Sequence, residues 1–244
     1  MTTVHRPRAL GAGRLLRWTG TALVVVGVGV VAWALVTWQW NDPFTSLYTR
    51  WEQRQLDDQL ATVVREETTR GPVSPPGAST AAAEAAVQTA ATRFRAGAER
   101  GDAIGRIVVP RLGLDMVVVE GTDTATLRKG PGRDRRTFMP GEGGLVYIAG
   151  HRTTYLAPFA RIDQLEKGDR VRLEMPYATI EYTVRRHRIV DDQDLSVLRS
   201  RGVEEVALQA CHPRFFATQR YIVWARPVRV TPRGGVPYRP SAAS

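Results

Sequence analysis

Cysteine is almost absent from this 244-residue chain, in which Cys211 stands alone. One thiol excludes any intrachain disulfide and leaves the sulfur free in whatever compartment the protein occupies. An idle free thiol outside the cell is a liability, so its presence asks for a use, against the plain alternative of a small buried apolar residue. Lysine is nearly missing too. It occurs only as Lys129 and Lys167, so the formal charge of +10 is carried by arginine. The arginines are spread along the chain rather than gathered on one helix or face, which argues against nucleic acid as a partner. What the charge does suit is an anionic surface such as a cell envelope. Histidine occurs four times, and no Cys/His/Asp cluster has metal-ligand spacing. There is no internal repeat.

Charge is absent from one long stretch. No charged residue lies between Trp18 and Asn41, and residues 21–38 (TALVVVGVGVVAWALVTW) are apolar almost throughout. As a helix rising about 1.5 Å per residue, this run is long enough for a hydrocarbon core of about 30 Å. Arg6, Arg8, Arg14 and Arg17 precede it without an acidic residue. The positive-inside rule therefore predicts a single-pass protein with a cytoplasmic amino terminus and an extracytoplasmic remainder. Trp33, Trp38 and Trp40 suit an interfacial aromatic belt at the outer end. The pattern Ala32-Trp33-Ala34 leaves a cleaved signal peptide open, although the apolar run continues through Leu35 and Val36, as an anchor requires.

The rest reads as one domain with extensions. A basic cytoplasmic tail (1–17) and a transmembrane anchor (18–41) lead to a stalk and linker (42–104). Within the stalk, 46–70 is an amphipathic helix, 71–80 (GPVSPPGAST) a linker, and 81–100 an alanine-rich helix that packs weakly or acts as a spacer. From 105 to 230 the texture changes to short β-branched runs at 106–110, 115–120, 144–149, 170–175, 179–190, 203–211 and 220–229, separated by turn residues. Short helices are expected at 124–129 and 157–165. Seven or eight such strands predict a mainly β fold, a closed or nearly closed barrel. The tail at 231–244 (TPRGGVPYRPSAAS) is expected to be disordered.

Side chains alternate along a strand, so Val206, Leu208 and Ala210 share one face of 203–211 while Ala207, Gln209 and Cys211 share the other. Cys211 therefore ends a strand on the less apolar face. Thiol chemistry needs an acid/base partner and a donor for a developing oxyanion. His5 lies in the tail. His212 adjoins Cys211 and points away from it, and His187 sits in a charged strand and reads as solvated. His151 ends the run 145–149 at Gly150, as a strand-end partner would. Arg220 opens the last strand, and the short return 212–219 brings it back towards Cys211. Taken singly, each of these also fits a structural histidine or one surface arginine among many.

Together they carry a resemblance. Gly150-His151-Arg152, then Ala207-Leu208-Gln209-Ala210-Cys211-His212-Pro213, then Arg220-Tyr221-Ile222-Val223 resemble, in the same order, the three catalytic regions of the sortases. The string from Gly150 to Tyr155, with Ala157-Pro158-Phe159 and Cys211-His212-Pro213-Arg214-Phe215, is most similar to class E sortases of actinobacteria. The family implies a sortase-like closed barrel of seven to eight strands behind a transmembrane helix and helical stalk. It implies Cys211 as nucleophile, His151 as acid/base and Arg220 as oxyanion stabiliser, with no metal or other cofactor. The activity implied is cleavage of an LPxTG- or LAxTG-type sorting signal between Thr and Gly through a thioacyl enzyme. The partners implied are surface proteins bearing that signal and an amine of a peptidoglycan precursor. Residues 190–202 and 212–219 are expected to line the groove, with Ala210, Leu208, His212 and Tyr155 as substrate-binding residues. Two departures stand out. Alanine replaces both threonines of the family's TLxTC pattern at 207 and 210, and Leu156 stands where class E chains often carry glycine. The alanines keep open a degenerate sortase fold retained for binding. Another exported cysteine transpeptidase or peptidase is a further alternative, although His212-Pro213 breaks the caspase-like pattern that Gln209-Ala210-Cys211 begins.

Overall fold

This computed structural model of the chain describes residues 12–39 and 43–240. Helix α1 (Ala12–Gln39) belongs to one compact unit, and the chain from Phe44 onward forms a second. Within α1, the 19 residues Leu16–Ala34 are long and apolar enough to cross a membrane, a test that a signal sequence also passes. The expected cytoplasmic tail up to Gly11, Trp40 and the side chain of Trp38 lie outside the described residues.

Eight strands close into a barrel. They are β1 (Ala103–Val109), β2 (Leu114–Glu120), β3 (Gly132–Arg133), β4 (Leu145–Ala149), β5 (Arg170–Glu174), β6 (Ala178–Asp191), β7 (Glu205–His212) and β8 (Gln219–Pro232). Their order around the barrel is β1-β2-β3-β4-β7-β8-β6-β5. The β2/β3 and β4/β7 pairs are parallel and the others antiparallel. Closure leaves no unpaired sheet edge. Period-two alternation sends Val146, Ile148, Val206, Leu208 and Val223 into the barrel core. On the outer face, Leu145, Tyr147, Ala207, Ile222 and Trp224 form a second apolar patch, covered by Val197 and Leu198 from the β6–β7 connection.

The helices before the barrel are part of its body rather than a projecting stalk. In α2 (Pro43–Thr69), Leu56 and Leu60 pack on Ala103, Val117 and Val119, the outward residues of β1 and β2. Gln53 of α2 completes the β2 backbone, its amide oxygen accepting from Val117 N at 2.7 Å and its amide nitrogen donating to Val117 O at 3.1 Å. Helix α3 (Thr80–Gly97), capped by Ser79, was expected to pack weakly. Instead its Val87, Ala90 and Ala91 join the barrel core. Alanines let a helix approach closely, so a sparse apolar pattern still buries a full face.

Two further expectations are corrected. Residues 157–165 hold only a 3₁₀ turn at Ile162–Gln164, because Tyr155, Leu156 and Ala157 have positive φ (53°, 61° and 41°) and Pro158 follows. The tail is ordered through 240. β8 continues to Pro232, Arg233 N donates to Tyr177 O at 2.9 Å, and Tyr238 and Val230 exchange a pair of 2.9 Å backbone hydrogen bonds. The short helix at 124–129 is present as α4 (Thr124–Lys129), where Asp123 caps the Ala125 and Thr126 amides.

Candidate active site

Three neighbouring strands, in the order β4, β7 and β8, carry the residues singled out in the sequence. Cys211 and Arg220 are directly opposite one another in the antiparallel β7/β8 ladder. Directly opposed residues project on the same face about 5 Å apart. On the other side β4 runs parallel to β7 with Ala149 against Gln209, and the ladder continues as Gly150 N donates to Gln209 O at 3.0 Å. That register brings His151 alongside Cys211. Alternation from outward-facing Tyr147 and Ala207 sends His151 and Cys211 to the outer face. The thiol thus has an imidazole strand on one side and a guanidinium strand on the other, with its own residue half-buried.

Each partner is held by specific bonds. Arg220 Nη1 donates to the carbonyls of Ala217 at 2.7 Å and Gln219 at 2.9 Å, and its Nη2 lies 3.7 Å from Asp192. The side chain is about one quarter exposed. Its charge also reaches across β7, where it opposes the upward shift that burial imposes on the Tyr147 phenol of β4. Nε2 of His151 is buried with no hydrogen-bond partner among the described residues. A buried nitrogen in that state costs about 1–3 kcal/mol relative to a bonded one. It is available to an incoming donor or acceptor.

The His151 ring lies 5.0 Å, centroid to centroid, from Tyr155. The Tyr155 ring also lies 5.9 Å from the Arg128 guanidinium, and its amide donates to Thr45 Oγ1 of α2 at 3.0 Å. The loop after His151 is therefore tied to the helix that precedes the barrel. Leu156 at φ 61° occupies the left-handed region that glycine tolerates best, which gives a physical reason for glycine at this place in related chains.

Burial pushes the His151 pKa down, and the Arg128 charge adds to the effect. A depressed pKa means that the unfolded chain binds the proton more readily. Its contribution to stability is therefore present above the ordinary imidazole value of about 6.5 and is lost as pH falls. Arg128→Gln should raise the His151 pKa towards that value and leave the burial part in place. An NMR titration of the imidazole in both proteins reads this directly, and an unmoved midpoint would refute the charge coupling.

Of the four residues expected to bind substrate, two face elsewhere. Leu208 and Ala210 are fully buried in the barrel core, so any part they take falls to their backbone. The hydroxyl missing at 210 is thus missing from the interior and not from the outer face. His212 is half-buried at the barrel mouth, and Tyr155 lies over His151. Arg152 is the residue that sequence reasoning passed over. Its side chain is buried and spans the β4 and β7 ends. Nη1 reaches Cys211 O at 3.3 Å and His212 Nδ1 at 2.9 Å, and Nη2 pairs with Asp163 at 2.9 Å. Its neighbour His151 takes the outer face, so Arg152 clamps the two strand ends from the mouth side. Its place beside His151 in the Gly-His-Arg segment was the available signal.

A closed mixed barrel with a lone thiol between a strand-end imidazole and a strand-end guanidinium defines a candidate cysteine-dependent acyl-transfer site. The sortase-domain family model matches residues 107–228, half of the chain, and the chain belongs to the sortase family. It is 35% identical over 134 residues to Sortase D of Bacillus subtilis, an alignment covering 53% of this chain and 66% of that protein. The chain spans less than two thirds of the length of the curated relatives it matches, with 60% for Sortase A of Listeria monocytogenes. Among solved structures, the Sortase D5 transpeptidase of Clostridium perfringens is similar with a TM-score of 0.52 at 27% identity, covering 58% of this chain and 88% of that one. Sortase E1 of Streptomyces coelicolor, solved with a tripeptide in its active site, gives a TM-score of 0.52 at 25% identity over 55% of this chain and 93% of that one.

Proposed function

We propose that the protein is a membrane-anchored cysteine transpeptidase that cleaves a sorting signal of the LPxTG or LAxTG type and joins the released protein to a cell-wall amine. The observation that carries this reading is the register that sets Cys211 opposite Arg220 with His151 on the neighbouring strand. The Cys211 thiolate attacks the carbonyl between Thr and Gly, forming a C–S bond and a tetrahedral oxyanion. Arg220 stabilises that charge, because guanidinium stays protonated and offers planar donors. His151 delivers a proton through its unpartnered nitrogen to the leaving glycine amine as the C–N bond breaks. A peptidoglycan-precursor amine then attacks the thioacyl carbon and gives its proton to His151, and the thiolate departs. Helix α1 acts as the anchor, with the barrel on the outer side of the membrane. The groove is walled by 190–202 and 212–219, where Leu195, Phe215 and Phe216 expose apolar surface. The string from Gly150 to Tyr155 supports class E as the subgroup.

The test is mass spectrometry of the full chain in detergent micelles, incubated with LPxTG and LAxTG peptides. The expected product is Cys211 carrying the peptide truncated after Thr, discharged when an amine is added. An unmodified Cys211 across the whole panel would sink the reading and favour a fold retained for binding.

A further inference from the structure

Beneath the β6–β7 connection lies a cavity of about 230 Å³ whose lining includes Arg186, Arg188, Arg199, Arg201, Glu205 and Trp224. Its one carboxylate is already shared. Glu205 is buried and pairs with Arg201 at 2.8 Å, Arg226 at 3.3 Å and Arg186 at 3.6 Å. Arg186 is also held with its guanidinium 3.9 Å from the Trp224 ring centroid. Arg188 and Arg199 are exposed and form no ion pair among the described residues. The Asp194 carboxyl is held down chiefly by its hydrogen bonds to Ser196, with Arg188 contributing charge. Four guanidinium groups therefore line the cavity with one carboxylate that is already shared, and two of the four form no ion pair among the described residues.

This cavity shares the outer sheet face with the nucleophile. In the β6/β8 ladder Arg186 opposes Trp224 and Arg188 opposes Ile222, and four residues along β8 from Trp224 stands Arg220, opposite Cys211. Four residues of strand span about 13 Å at about 3.3 Å each. On the proposed function, on which this inference rests, the leaving amine must lie at His151, on the β4 side of Cys211. The acyl segment then leaves on the opposite side, over β8 and β6, towards the arginines. An extended peptide whose Thr carbonyl is at Cys211 reaches the cavity about four residues upstream, with Val197 and Leu198, which cover Ile222 and Trp224, displaced along the way. That position is the residue just before the leucine of the sorting signal.

We propose that the arginine-lined cavity is a specificity subsite for acidic side chains immediately preceding the sorting signal, bound through Arg188 and Arg199. Guanidinium and carboxylate match as planar, two-pronged partners. A like-charged lysine at the same place is disfavoured.

The experiment compares two signal peptides on the full-length protein, identical except for Glu-Glu or Gln-Gln directly before the leucine. The wild type should use the acidic peptide with kcat/KM higher by about tenfold, an advantage that shrinks as salt is raised to about 0.5 M. In the Arg188→Gln/Arg199→Gln protein the ratio of kcat/KM between the two peptides should fall to about one. Equal use of both peptides by the wild type overturns the subsite and leaves the proposed function intact. If neither peptide is cleaved, equilibrium binding to the Cys211→Ala protein decides: an acidic preference that the double substitution removes upholds the subsite while the proposed function falls, and no preference overturns both. Vesicles containing anionic lipid provide the remaining arm. If the double substitution removes the dependence of vesicle binding on the anionic-lipid fraction and the peptides are never distinguished, the arginines face a membrane surface and the subsite is refuted.

Discussion

Arg220→Ala is expected to turn over a sorting-signal peptide about 10²- to 10³-fold more slowly than the wild type, while Cys211→Ala gives no thioacyl adduct at all. The reason lies in how Arg220 is held. One of its terminal nitrogens is committed to the Ala217 and Gln219 carbonyls, which fixes the plane of the guanidinium and, on the proposed function, leaves the rest of the fork for the oxyanion at Cys211 across the ladder. Lysine cannot reproduce this, because an ammonium that satisfies the two carbonyls has no second planar edge to offer. Arg220→Lys should therefore recover only a small part of the loss. An interaction made in the transition state lowers kcat and kcat/KM together, whereas a contact with ground-state substrate raises KM alone. Steady-state kinetics on one peptide separate the two. A change confined to KM would move Arg220 from oxyanion stabilisation to substrate anchoring. The melting temperature should barely move, because the side chain is about one quarter exposed and its carboxylate contact is long, at 3.7 Å.

The pairing of Cys211 with Arg220 was legible in the sequence because it is local. Six residues form the return between β7 and β8, and a short antiparallel return leaves few registers. The inner and outer faces of β7 were legible for a similar reason, since Val206, Leu208 and Ala210 alternate with Ala207, Gln209 and Cys211. His151 needed the resemblance, because the parallel pairing of β4 with β7 spans some sixty residues and no local rule selects it. The two-residue β3 carries too little pattern to be seen. Helix α3 was underrated because its packing is done by alanine, whose burial leaves little periodic contrast. The ordered tail escaped notice because its order depends on Tyr238 finding Val230 and Arg233 finding Tyr177. Arg152 was hidden by its own neighbour, as both stand in one short segment and only the alternation of faces separates the residue near the thiol from the one that clamps the strands.

The largest stability effect is expected from Arg133, and it bears on the site because β3 joins β2 to β4. Arg133 and Glu120 are paired in register across β2 and β3, and both side chains are 1% exposed. They meet along two edges, Nε with Oε2 at 2.9 Å and Nη2 with Oε1, while Nη1 donates to the Thr137 carbonyl at 2.6 Å. The outer Arg135 adds a contact to Glu120 at 3.5 Å. Arg133→Met removes the inner cation and strands the carboxylate and a carbonyl, at a cost of about 3–5 kcal/mol. That is a large share of the roughly 5–15 kcal/mol that holds a domain folded. Adding Glu120→Leu should restore most of the loss, since a buried pair exchanged for apolar residues of similar volume is often close to neutral. Urea unfolding of the two single variants and the double variant closes the thermodynamic cycle. Activity should follow stability in this series, because β3 pairs with β4, the strand that leads into His151. If Arg133→Met costs less than about 1 kcal/mol, the pair does not close the barrel, and the position of His151 rests on β7, Arg152 and the tie of Tyr155 to Thr45.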